Sequence, residues 1–168
     1  MVGNRTQIVD IDTLRKQLEA QQPQTYKWTY ENGRRYASTD TGHYYMPNDE
    51  PEIQRLNDQH WLLTEVKHGA LHQCPLPKGK KDLKILDIGC GTGIWCLQMA
   101  DAYPEARVWG MDISPIQPKE KNERVAWVLL DFEEGEWPFE EGMFDLVHLS
   151  LVHGCVKDWV KMMEKIVR

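Results

Sequence analysis

Asp87 sits near the end of an apolar run and is followed by glycine at every second position, 89, 91 and 93, so that residues 84–95 read "KILDIGCGTGIW". Glycines at that spacing let the backbone turn tightly and come close to a ligand. A helix beginning near Ile94 points its positive N-terminal end at any anionic group on that ligand. Two more carboxylates close apolar runs downstream, Asp112 in "VWGMD" and Asp131 in "VLLDF". A carboxylate about 20 residues past such a loop is placed to accept both hydroxyls of a ribose. The chemistry this constellation offers is the binding of a nucleoside-bearing cofactor.

The spacing narrows the choice of cofactor. A dinucleotide fingerprint needs its third glycine at position 94, where this chain has Ile94, with Gly93 one place early. A P-loop is excluded more firmly, because no Gly-Lys-Ser/Thr closes the loop. What remains is acid-x-G-x-G-x-G, and it resembles the first motif of class I S-adenosylmethionine (SAM)-dependent methyltransferases. Asp112 and Asp131 taken singly read equally as strand terminators or as cofactor contacts; all three features in this order and spacing make a stronger case. The resemblance implies SAM as cofactor, held by Asp87, Gly89, Gly91 and Gly93, with Asp112 on the ribose. Asp131 is then similar to the acid that contacts the adenine amino group, Phe132 packs on the base, and Tyr44 contacts SAM from the N-terminal side.

Hydrophobic period indicates which elements hold these residues. From Leu83 onward short apolar runs alternate with helical ones, giving strand, helix, strand, strand, strand, helix. Near-continuous apolar strands imply a parallel sheet covered on both faces, an α/β doubly wound, Rossmann-like fold with about four strands. The crossover over 113–124 carries Pro115 and Pro118, which leaves room for a small helix at most. Upstream, Asp49 with Glu52 three residues later forms a capping box, and Pro51 lies in the first turn. The helix it starts has Ile53, Leu56, His60, Leu63 and Lys67 on one stripe and an expected end at Gly69. Before it, "TYKWTYENGRRY" reads equally as a hairpin turning at Asn32-Gly33 or as an arm of aromatics packed on the main domain. A short helix is expected over 13–21, capped by Asp12. The expected divisions are an N-terminal extension over 1–35, a helical lead-in over 36–80 and the SAM-binding domain over 81–168.

Composition sets outer limits. The 168 residues suit one domain with an extension, and 41% hydrophobic with 27% charged residues marks a folded chain. A net charge of -6 with no Lys/Arg cluster beyond "KGKK" argues against binding nucleic acid or an anionic membrane. No apolar stretch approaches the roughly 20 residues that span a bilayer, and the first residues lack a signal peptide's apolar region. A cytoplasmic or nuclear location is expected. Cys74, Cys90, Cys96 and Cys155 show no metal-site spacing and read as reduced thiols.

The segment "GRRYASTDTGHYYMPNDEPEIQRLNDQH" and the later "WPFEEGMFDLVHLSLVHGCVKDW" are similar to fungal SAM-dependent methyltransferases of secondary metabolism, the group that includes velvet-associated regulators. That resemblance covers roughly residues 34–168 and implies methyl transfer to a small molecule. The chain departs from the family in having Ser150 after His148-Leu149, where an arginine is usual. The family pattern also continues beyond the last helix through a Pro-Gly-Gly turn into three further strands, so this chain reads as shortened. Shortening leaves "FDLVHLSLV" as an apolar sheet edge, which invites a protein partner. A general base, where the acceptor is a hydroxyl, is sought among His148, His153 and His60, although packed or surface roles are commoner for such histidines. No catalytic residue is assigned. The alternatives to a methyltransferase are a non-catalytic SAM-fold regulator or scaffold working with a partner, and a remnant with no stable fold.

Overall fold

A computed structural model describes residues 16, 26–37, 44–77, 79–120 and 122–168. The helix expected over 13–21 lies outside these residues but for Lys16, as does the stretch 38–43 of the upstream motif.

The aromatic-polar segment folds as a hairpin. β1 (Trp28–Glu31) and β2 (Arg34–Ala37) pair antiparallel, and Asn32 and Gly33 turn the chain with φ of 48° and 76°. Both turn residues are left-handed, the geometry that matches the twist of paired strands and that Asn-Gly adopts readily. The hairpin crosses the expected division at position 35, because its second strand is tied to residues 48 and 49. Arg34 grips both oxygens of Asp49 at 2.6 and 2.9 Å, and the Asn48 amide donates to the Arg35 carbonyl at 2.8 Å.

Asp49 also caps α1 (Glu50–Val66), its side chain accepting from the Glu52 amide at 3.3 Å. Only half of the expected capping box forms. The buried Glu52 carboxylate turns to Arg55, which donates to it at 2.7–3.0 Å. A buried carboxylate beside a guanidinium gains more from that charge-assisted pair than from one backbone amide. The helix unwinds where the sequence indicated: His68 and Gly69 take φ of 54° and 82°, and the Gly69 amide returns to the Thr64 carbonyl at 2.8 Å.

The second half of the chain gives β3 (Lys84–Ile88), α2 (Ile94–Ala102), β4 (Arg107–Asp112), β5 (Val125–Leu129), β6 (Leu146–Leu149) and α3 (Trp159–Val167). The four strands form one parallel sheet in the order β5-β4-β3-β6. Side-chain alternation splits the core into two layers. Ile85, Val108, Val125 and Leu146 pack with Trp95, Cys96, Met99 and Ala100 of α2 on one face. Leu86, Ile88, Trp109, Met111 and Val128 pack with Phe132 and Met162 of α3 on the other. No helix interrupts 113–124 among the described residues, in keeping with the expectation of a small helix at most. Strand order reverses between β3 and β6, so the loop leaving β3 opens at the switch point where such sheets bind ligands.

Candidate functional site

The loop after β3 is held in its shape from both sides. Gly89, Gly91 and Gly93 all take left-handed φ, at 70°, 54° and 76°. At Gly93, the N-cap of α2, a methyl group would meet the Trp127 ring at 2.4 Å, so glycine is demanded by both backbone and space. The Gly91 amide donates to Asp112 Oδ2 at 2.8 Å, the Gly91 carbonyl accepts from Gln117 Nε2 at 2.7 Å, and Asp112 Oδ1 accepts from the Ser114 amide at 2.9 Å. Asp112 thus ties the glycine loop to the end of β4. Burial pushes its carboxyl up to about 6, against the pull of those amides.

Above the loop lies a cavity of about 430 Å³, within the range of small-molecule and cofactor sites. Its floor is the carboxyl end of the sheet, with Asp87, Asp112 and Asp131; Phe132, itself buried, forms an apolar wall. Its roof is the stripe of α1 identified from sequence, where Leu56, His60, Leu63 and Lys67 turn inward, together with residues 44–48. Tyr44 is half-buried there, and burial, with the neighbouring charges of Glu52 and Asp112, holds its hydroxyl well above the ordinary tyrosine range. The roof is pinned to the floor by buried Asn48, whose side chain shares a hydrogen bond with Ser114 Oγ at 3.1 Å, and by Thr92 Oγ1, which donates to Asn57 at 2.7 Å.

Every position expected at a cofactor site from Tyr44 to Phe132, except Gly93, lines this one cavity. Gly93 stands just behind it as the turn into α2. Asp87 carries contacts beyond the one expected of it. It reaches the cavity, but one oxygen accepts from His148 Nδ1 at 2.7 Å and the other from Cys96 Sγ at 3.5 Å. His148 is Asp87's register partner on β6, and its ring stacks on Trp95, centroids 3.9 Å apart and planes 4° from parallel. Of the other histidines, His60 shares Nε2 with Gln98 at 2.8 Å and His153 is exposed. Among the described residues, no cluster of His, Cys, Asp and Glu could hold a metal ion.

Residues 85–168 match the family described as a methyltransferase domain. The chain belongs to the methyltransferase-domain family. Its curated relatives include the secondary metabolism regulator LAE1 of Cochliobolus heterostrophus, 39% identical over 81% of this chain and 45% of that protein. Methyltransferase pytC of Aspergillus terreus is 40% identical over 83% of this chain and 42% of its own length. The protein-methionine methyltransferase laeA of Emericella nidulans is 38% identical over 81% and 36%. The chain therefore spans less than half the length of each of these relatives. Among solved structures, a Haloferax volcanii methyltransferase determined in complex with a methyltransferase activator superimposes with a TM-score of 0.57, at 23% identity over 72% of this chain and 52% of that one, and shares the fold.

SAM is the cofactor of this methyltransferase domain, and the cavity's chemistry fits it. Each oxygen of Asp112 and Asp131 keeps lone pairs beyond the backbone amides it already serves, free for hydroxyl and amino donors. Three carboxylates on the floor also suit a ligand that carries a sulfonium charge. Sequence reasoning did not find Asn48, Gln117 or the Asp87–His148 pair. Asn48 and Gln117 act across more than 20 residues of chain and carry no local signature, whereas the Asp87–His148 pair becomes visible once β3 and β6 are known to be neighbours in parallel register.

Proposed function

We propose that this chain binds SAM through Asp112, Asp131, Phe132, Tyr44 and the Gly89–Gly91 backbone, and that it serves methyl transfer to a small molecule in fungal secondary metabolism. One observation carries the reading: the glycine loop, the β4 carboxylate and the acid-aromatic pair after β5 converge on a single cavity at the sheet's switch point. When bound there, SAM supplies an electrophilic methyl group on a positively charged sulfur. The chain's own residues bind, orient and keep water away: α1 and residues 44–48 roof the cavity, and an aligned pair of reactants in a dry site accounts for most of the acceleration such a displacement needs. Incubation with SAM and extracts of co-produced metabolites, with release of S-adenosylhomocysteine as the readout, tests it. Turnover on a small molecule is the expected result, and SAM binding with transfer only to a protein contradicts it.

A second reading, a SAM-binding regulator that works without turnover, draws on relatives such as the secondary metabolism regulator LAE1.

A further inference from the structure

The cavity holds a histidine that the SAM site does not use. His148 lies on β6 beside Asp87 on β3, both on the sheet face covered by α2, and its side chain is only 16% exposed. Three contacts fix it: the 2.7 Å bond from Nδ1 to Asp87, the parallel stack on Trp95, and the strand itself. Asp87 is in turn buried and receives Cys96 Sγ on its other oxygen. A carboxylate accepting from Nδ1–H leaves the neutral imidazole's lone pair on Nε2. Among the described residues nothing bonds to that Nε2, and the ring lines the cavity. A base with its tautomer set by a buried acid is the arrangement that proton abstraction requires. The other two histidines near the cavity lack it: His60 is engaged at Nε2 by Gln98, and His153 is exposed on the loop after β6.

We propose that His148, positioned by Asp87 and Trp95, accepts the proton of the methyl-accepting atom, and that the acceptor is therefore a protic nucleophile, a hydroxyl, thiol or amine. This rests on the SAM-binding reading above. In the step, a proton of the acceptor's hydroxyl, thiol or ammonium group passes to Nε2, the lone pair so freed on the acceptor forms the bond to the methyl carbon, and the carbon–sulfur bond breaks with its electron pair going to sulfur. The imidazolium so formed is stabilised by the Asp87 carboxylate until it loses its proton to water. An acceptor with no proton to lose, such as a thioether or a preformed carboxylate, gains nothing from this base.

Two measurements test the assignment. Long-range proton–nitrogen correlation NMR on imidazole-labelled protein is expected to show His148 protonated at Nδ1 and bare at Nε2, and Asp87→Asn to disturb that tautomer; an Nε2–H tautomer in the unaltered chain overturns the proposal. Release of S-adenosylhomocysteine is then followed with a phenol, a primary amine, an alkyl thiol, a carboxylate and a thioether as acceptors. Turnover is expected on the protic members, falling at least about 100-fold in His148→Gln and recovering in part when imidazole is added to His148→Ala. SAM affinity, titrated by calorimetry, is expected to stay within about threefold in both variants. Undiminished turnover in His148→Gln, preference for the thioether or carboxylate, or SAM binding with no turnover on any acceptor each contradicts the assignment. Failure to bind SAM sinks the underlying reading instead, and the NMR result separates the two.

Discussion

Asp112 performs two tasks that pull its charge in opposite directions. Burial, the larger influence, raises its folded-state pKa from 3.8 to about 6, while the Gly91 and Ser114 amides and any ribose hydroxyl favour the ionised form. Between those two values the folded chain holds more protons than the unfolded one, so Asp112 contributes a stability that falls as pH rises through that window. Asp49, held low by Arg34, adds an opposing slope only at the acid edge of that window, where the unfolded chain's Asp49 still holds protons, and almost none above about pH 5. Thermal melts without SAM are thus expected to give a higher Tm near pH 5 than near pH 7.5 as far as Asp112 is concerned, while the increment SAM adds to Tm shrinks over the same descent. Asp112→Asn is expected to flatten both trends, and an unchanged SAM increment at pH 5 contradicts the account. The position of Asp112 was legible in the sequence from its distance past the glycines. Its use as the tie for the loop was not, because that depends on how the loop folds back toward β4.

Elements were more legible than their seams. Both hairpin strands, α1, the four parallel strands and the two covering helices follow from period and turn chemistry, and the Asn32-Gly33 turn decided between hairpin and arm only through its observed left-handed backbone. What local pattern could not reveal is that Trp127 on β5 packs under the start of α2 and against Gly110 of β4. Two glycines expose the difference. An alanine methyl at Gly91 would lie 3.7 Å from Leu56, so Gly91→Ala carries the left-handed backbone cost alone, about 1–2 kcal/mol. At Gly93 the same methyl meets Trp127 at 2.4 Å, so Gly93→Ala adds about 1–3 kcal/mol of overpacking. Urea denaturation is expected to rank the two in that order, and equal midpoints contradict the packing described.

At the scale of the whole molecule the apolar side chains of β6 lie within the two core layers, while α3 leaves apolar groups exposed among the described residues. Val160, 70% exposed, and Val167, 81% exposed, flank Met163 on a helix whose opposite side buries Met162 in the core. Apolar stripes of that kind are covered when a second surface is offered. For the 168-residue chain, light scattering over a concentration series is expected to show mass rising above the monomer through this stripe, and Val160→Ser with Val167→Ser to lower it; a monomer at every concentration contradicts that expectation. The expected edge strand was visible in "FDLVHLSLV", although only Leu146–Leu149 of it pairs, since φ turns positive at Leu151 and ends the extended run.

The central claim, that this cavity binds SAM through the β4 carboxylate, is tested most directly by calorimetric titration of the chain and of Asp112→Ala with SAM. The account predicts micromolar binding at a single site in the unaltered chain and none in the variant. No heat in the unaltered chain, or equal affinity in Asp112→Ala, contradicts it.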